Sequence, residues 1–225
     1  MLFSVCLMIL VSNAAAAIQD LSGKMFVFPQ QTKTAYAKLT PSKTSFSAIT
    51  VCHRSLTDLK RDHVLFSMST STNSNEFLVF YKFTANEIQP HIKTGLASYG
   101  GLDYKLNTWH SICTTWDSTV GLVQLWFNGQ QLTKKYITPG TGVSTTPSII
   151  LGQEQDSHGG SFDINQSFVG MMTDVHMWDY VLSACEIQKY VSELSFTPGN
   201  VLNWAALDFL IRDRVLIENK QLYCQ

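Results

Sequence analysis

Apolar and polar residues alternate with a period of two along most of this chain. Such alternation sends successive side chains to opposite faces of a strand, one inward and one outward. Phe26 and Phe28 open the pattern just before Pro29, and strands are predicted over 46–51, 64–68, 76–82 and 109–116. Segments 122–127 and 130–132 flank Asn128-Gly129, a pair that accepts the positive φ angles of a tight hairpin turn. Segments 148–151 and 169–178 complete the set, the latter with Val169, Met171, Val175 and Met177 on one face. A single helix is signalled. Ser183-Ala184-Cys185-Glu186 has the form of a capping box, and Ile187, Tyr190, Val191 and Leu194 come after it at helical spacing. Pro198-Gly199 bars any longer helix. Many short strands with one helix predict an all-β fold: a two-sheet antiparallel jelly roll of the lectin-like, concanavalin type, with one short α-helix. No repeat or linker divides it, and 138–147 (TPGTGVSTTP) reads as a surface loop within one domain.

The first 17 residues do not share this pattern. An apolar stretch, Leu2 to Val11, leads to small residues ending in Ala15-Ala16-Ala17, the layout of a secretory signal peptide with its cleavage site. The stretch falls well short of the ~20 residues a membrane-spanning helix needs. Residues 1–17 are therefore expected to be a signal peptide and 18–225 a secreted domain without a membrane span. Charged residues make up 15% and the net charge is −1, which gives no long-range attraction for nucleic acid or an anionic membrane. Secretion also sets the cysteine chemistry, because an oxidising compartment permits disulfides. Cys52, Cys113, Cys185 and Cys224 remain after residue 17, and three pairings are open. Cys52 and Cys113 both lie in apolar, strand-like runs, which suits a bridge between neighbouring buried strands. Cys185 and Cys224 would then pair with each other or stay free.

Candidate chemistry concentrates in 152–166, read Gly-Gln-Glu-Gln-Asp-Ser-His-Gly-Gly-Ser-Phe-Asp-Ile-Asn-Gln. Three carboxylates (Glu154, Asp156, Asp163) stand among amide oxygens, and the glycines let the segment fold sharply. Calcium takes six to eight oxygen ligands in irregular geometry, whereas magnesium demands stricter octahedral order. No thiolate cluster points to zinc, and the spacing is not that of an EF-hand loop. Were 154–156 a strand, Glu154 and Asp156 would share a face. The second glutamate of the jelly-roll glycosidase pattern is absent, however, so the two-carboxylate mechanism lacks its partner. The chain is read as a binding protein, not an enzyme. His158 is expected to be an exposed loop residue and His176 a structural one, and the tryptophans are assigned to packing.

Several stretches together resemble the short pentraxin family: Phe26-Val27-Phe28-Pro29, Thr50-Val51-Cys52, Cys113-Thr114-Thr115-Trp116-Asp117-Ser118, Ile150-Leu151-Gly152-Gln153-Glu154-Gln155-Asp156, Val175-His176-Met177-Trp178-Asp179 and Val201-Leu202-Asn203-Trp204. The resemblance spans about Lys24 to Leu222. The family's signature histidine is replaced by Ser111, with His110 one place earlier. The resemblance implies a flattened jelly roll, a Cys52–Cys113 disulfide and a cyclic homopentamer. It also implies two adjacent Ca²⁺ ions that bind a phosphate or similar anion. By matching positions, Asn75, Glu154, Gln155 (through its carbonyl) and Asp156 would hold the first ion. Glu154, Asp156, Asp163 and Gln166 would hold the second. Ser74 stands where the family has an aspartate, which weakens the first set, and Asp163 replaces a glutamate. Phe80 matches an aromatic that packs on choline in the family, with Glu87 and Asp103 as candidates for its acidic partner. The sequon Asn165-Gln166-Ser167 falls inside the proposed metal loop and is expected to be unmodified. The function this implies is calcium-dependent recognition of phosphate-bearing, phosphocholine-like ligands on microbial or damaged-cell surfaces, an innate-immune or acute-phase role with complement-type effectors as partners. The alternative is a laminin-G-like or lectin-like module for carbohydrate or protein.

Overall fold

The computed structural model describes residues 18–137 and 139–220. The predicted signal segment lies outside these residues, and so does Cys224, which leaves the Cys185–Cys224 bridge undescribed. In chain order the strands are β1 (Lys24–Phe28), β2 (Tyr36–Thr40), β3 (Ala48–Leu56), β4 (His63–Ser69), β5 (Phe77–Lys82), β6 (Glu87–Ile92), β7 (Gly95–Leu96), β8 (Tyr99–Gly100), β9 (His110–Asp117), β10 (Leu122–Phe127), β11 (Gln130–Gln131), β12 (Lys135–Tyr136) and β13 (Ser148–Leu151). They continue with β14 (Gly170–Trp178), helix α1 (Ala184–Val191), β15 (Asp208–Arg212) and β16 (Leu216–Asn219).

The strands form two antiparallel sheets of eight. One runs β11-β10-β9-β3-β14-β1-β16 with β12 also on β10; the other runs β15-β2-β13-β4-β5-β6-β7 with β8 on β6. The expected jelly-roll sandwich is therefore present. Its core is filled by the inward residues of both sheets, with Phe26 edge-on to Trp204 and Phe209 at 5.0 and 5.1 Å between centroids. Trp116, Trp126, Trp178 and Trp204 are all buried, in keeping with packing roles. The hairpin at Asn128-Gly129 forms as predicted, with φ of 49° and 80°.

Three local expectations need correction. The strand expected at 46–51 begins at Ala48 and runs on to Leu56, while Phe46 makes only an isolated bridge to Val143. In β14 the face assigned to Val169, Met171, Val175 and Met177 is broken by a bulge between Thr173 and His176, where Asp174 adopts φ 53°. The extra residue shifts the phase of alternation, so Met172 joins Val175 and Met177 in the core and Met171 is left partly exposed. The helix ends at Val191, and Leu194 is 61% exposed. Ser183 Oγ does cap the Glu186 N–H, but the Glu186 carboxylate binds Lys189 and the Thr197 N–H instead of closing a capping box.

Cys52 and Cys113 face each other in the β3–β9 register and are joined by a disulfide across 61 residues of sequence. A loop of that size contributes roughly 4 kcal/mol on the chain-entropy model. The bridge lies under α1, packed with Trp126, Trp178, Leu182, Ile187 and Tyr190. His176 belongs to this side too, stacked on Trp178 and edge-on to Phe196, and it is structural as expected. One face of the sandwich is thus sealed by a helix over a disulfide. The other sheet carries the chemistry.

Candidate metal centre

The loop after β13 departs from a strand at once. Gly152 has φ +93°, and a Cβ there would meet the Phe28 ring at 2.4 Å, so only glycine fits the turn. The chain therefore leaves the sheet at Gly152, and the expectation that Glu154 and Asp156 share a strand face is not met: β13 ends at Leu151. Side-chain hydrogen bonds hold 153–155 in place. Gln153 Nε2 donates to the Thr32 and Ala35 carbonyls. Gln155 Nε2 donates to Ser67 O, Ser67 Oγ and Ser148 O, and its Oε1 accepts from Ser69 Oγ and the Gly159 N–H. The Gln155 side chain is spent inward, so the oxygen it can offer a cation is its backbone carbonyl.

Beyond Gln155 the chain turns outward. Ser157 and Gly160 exchange two backbone hydrogen bonds around His158-Gly159, and Gly159 and Ser161 adopt φ of 78° and 59°. His158 is exposed, as expected. Asp163 then caps the short 3₁₀ turn Ile164–Gln166, its Oδ1 accepting from the Asn165 N–H at 2.9 Å and from Asn165 Nδ2 at 3.1 Å. Arg61 was not anticipated from the sequence. It donates to Asn165 O and Ser167 Oγ and so ties this turn to the approach to β4.

Glu154 is 2% exposed, and burial, with the neighbouring Asp156 and Asp163 charges, pushes its carboxyl up to about 7. A buried carboxylate beside two others is an electrostatic cost that a cation relieves. Three buried oxygens around it lack hydrogen-bond partners among the described residues: Asn75 Oδ1, Glu154 Oε2 and Gln166 Oε1. All three belong to residues lining one pocket of about 230 Å³, which Asp156 also lines. Other buried oxygens are orphaned too, Ser55 Oγ, Thr114 Oγ1 and Asp208 Oδ1 among them, but these three share one pocket, and one bound ion would satisfy them together. Gln153 Oε1 is also orphaned but does not line this pocket. Among the described residues no three Asp, Glu, His or Cys side chains converge closely enough to hold a metal by themselves. The donor set is instead mixed, carboxylate with amide and carbonyl, which suits calcium better than zinc or magnesium.

Asn75 sits at the turn into β5, its carbonyl accepting from the Lys93 N–H. The strand expected from Glu76 begins one residue later, at Phe77, and the Glu76 carboxylate turns in to accept from Thr70 Oγ1. Ser74 is half-buried beside Asn75. The rest of the pocket is the alternate face of the β5–β6 hairpin: Leu78, Phe80 and Lys82 from one strand, Gln89 and His91 from the other. Phe80 is where the sequence placed it. Lys82, Gln89 and His91 were missed, although the period of two from Phe80 signals Lys82. Neither acidic candidate lines the pocket. The Glu87 carboxylate accepts from Gln89 Nε2, and Asp103 is exposed and paired with Lys105.

The sequence pattern of the pentaxin family matches residues 24–219. The chain belongs to the pentraxin family. It is 40% identical to the C-reactive protein of Sus scrofa over 222 residues, covering 96% of both chains. It is 40% identical to the serum amyloid P-component of Mus musculus over 199 residues, 88% of each. Among solved structures it superposes with a TM-score of 0.81 on a heptameric SAP-like pentraxin from Limulus polyphemus, at 22% identity, covering 89% of this chain and 96% of that one. Membership places this pentraxin, at the level of the family, among innate-immune recognition proteins and not enzymes, and among proteins that bind calcium. No helix among the described residues is long and apolar enough to cross a membrane.

Proposed function

We propose that this pentraxin is a secreted, calcium-dependent recognition protein for phosphate-bearing surface ligands. The observation that carries the reading is the set of orphaned buried oxygens, Asn75 Oδ1, Glu154 Oε2 and Gln166 Oε1, opening on one pocket beside an uncompensated carboxylate. Asn75, Glu154, Asp156 and the Gln155 carbonyl would hold one calcium; Glu154, Asp156, Asp163 and Gln166 would hold a second. The bound charge would supply the attraction for phosphate oxygens that this acidic loop lacks by itself. The chain's own part is to hold these oxygens in position. Gln155 braces the loop from below, and Arg61 pins the 3₁₀ turn from the side.

Self-assembly into a closed ring, read here as a homopentamer, would repeat the pocket on one face. Several weak sites then act through high effective concentration. The α1 face lies on the other sheet and would stay open to complement-type effectors. Secretion is supported by the apolar leader of the sequence and by the serum relative. The test is retention on an immobilised phosphomonoester in calcium, followed by EDTA. Retention that EDTA releases, and that Asp156→Ala abolishes with the assembly intact, is expected. Retention that survives EDTA contradicts the calcium bridge.

A further inference from the structure

The pocket has two chemically different ends. At one end stand the carboxylates and orphaned amide oxygens. At the other stands Phe80 on the β5–β6 hairpin, only 6% exposed with Lys82 in place. An aromatic face beside an anion site is where a positively charged substituent of a ligand would settle, because the ring quadrupole attracts cations. In this chain that position is already taken. Lys82 stands two residues after Phe80 on the same strand face, and its Nζ lies over the Phe80 ring, 5.8 Å from the centroid.

The ammonium is held there. Asp62 accepts from Lys82 Nζ and also from the Phe83 N–H at 2.9 Å, so the carboxylate is fixed by the backbone and fixes the lysine in turn. Glu87 lies opposite Lys82 in the β5–β6 register. Its carboxylate is engaged by Gln89 Nε2, and neither Asp62 nor Glu87 lines the pocket. The lysine, by contrast, does line it. Its charge is felt across the hairpin: burial first, and then the Lys82 charge, hold His91 below the ordinary imidazole range. The groups facing a ligand beyond the calcium end are therefore a fixed ammonium, a neutral imidazole and the Gln89 amide.

We propose that Lys82 is a specificity-determining residue that turns this pocket against phosphoesters with a quaternary ammonium and toward phosphomonoesters with uncharged, hydroxyl-bearing substituents. The proposal rests on the calcium-bridge reading and goes beyond it by naming which phosphate esters are taken. A ligand ammonium on Phe80 would have to displace Lys82 from the ring or approach it as a like charge. A hydroxyl-bearing substituent meets donors and acceptors it can pair with, namely Lys82 Nζ and the Gln89 amide.

The experiment is calorimetric titration of the full chain in calcium with phosphocholine and with glycerol 3-phosphate, on the wild type and on Lys82→Gln. The ratio of the two dissociation constants cancels whatever the change does to the shared phosphate end. Wild type is expected to bind glycerol phosphate about five- to tenfold more tightly, the span of a forfeited cation–π attraction together with a like-charge repulsion. Lys82→Gln is expected to bring the ratio to one or reverse it. A wild type that binds phosphocholine as tightly as glycerol phosphate, with a ratio unmoved by Lys82→Gln, overturns the assignment of Lys82 and leaves the calcium reading standing. Calcium-dependent binding of neither ester by the wild type overturns the calcium reading, and this assignment with it.

Discussion

The two halves of the 152–166 loop are built on different principles. The inner half, 153–155, is buried and tied down by amide side chains. Gln153 and Gln155 between them bond the β2 approach, β4 and β13. The outer half, 156–163, is mostly exposed and held by a small turn. Glu154 and Asp156 stand where the two meet. The inner half is shaped by the protein alone and presents its oxygens whether or not an ion is there. The outer half leads through Asp163, whose charge is felt by Glu154 but which does not line the pocket, into a 3₁₀ turn pinned by Arg61 that brings Gln166 to it. On the calcium reading, the inner half would serve stability and place the site, while the outer half would adjust affinity. Substitutions should separate the two.

The largest expected effect lies deep in the scaffold and is driven by pH. His53, His63 and His176 are each held down to about 4, in every case chiefly by burial. Their neutral forms are favoured in the folded state. The unfolded chain therefore binds more protons as pH falls through the ordinary value near 6.5, and stability present above that is lost between about pH 6.5 and 4. Each histidine can account for up to roughly 3 kcal/mol of that loss. Glu154, raised to about 7, opposes them over part of the same window, while His91, also held down, adds to them. Urea unfolding in EDTA at pH 7.5 and pH 5 measures the balance. Equal midpoints would mean that these imidazoles are solvated or paired in solution.

The inner half comes next. Gln155→Ala removes five side-chain hydrogen bonds, leaving Ser69 Oγ without its partner and the Ser67 and Ser148 carbonyls without that donor, while Ser67 Oγ keeps the residue-155 N–H. A loss of about 3 kcal/mol is expected from stranding buried polar groups, read by urea unfolding without calcium. The outer half should respond the other way. Asp163→Asn keeps an oxygen to cap the 3₁₀ turn and should change unfolding by less than about 0.5 kcal/mol. It should weaken calcium by about tenfold, because affinity depends on ligand charge. Equal stability losses from Gln155→Ala and Asp163→Asn would erase the distinction between the halves. The smallest change is Ser74→Asp, which adds a carboxylate beside Asn75 and should tighten calcium by a few fold. An unchanged titration would mean that position 74 does not face the ion.

The fold is legible in the sequence because it rests on local alternation. Phe26 and Phe28 are buried about a half-buried Val27, as the period of two predicts, whereas 64–66 and 149–151 are buried on both faces and are legible as apolar runs. Legibility fails where the backbone departs from the regular strand. The bulge at Asp174 inverts the faces of β14, and no residue type in that stretch announces a positive φ at an aspartate. The acidic, glycine-rich character of the loop points to its carboxylates. It does not point to Gln155 as an internal brace, since a glutamine in a loop looks like any polar residue until its five hydrogen bonds are placed. Arg61 and Lys82 escape a sequence reading for another reason. Arg61 is about a hundred residues from the turn it anchors, and that Lys82, although in phase with Phe80, shares a pocket with the loop shows only in the packed fold.

The most direct test of the account is a crystal structure of this pentraxin grown with calcium. Calcium within about 2.3–2.6 Å of Asn75 Oδ1, Glu154, the Gln155 carbonyl and Asp156 is predicted, with Gln166 Oε1 and Asp163 on a second ion. Crystals in millimolar calcium that show no ion in this pocket, with Asn75 Oδ1, Glu154 Oε2 and Gln166 Oε1 hydrogen-bonded to water instead, would contradict it.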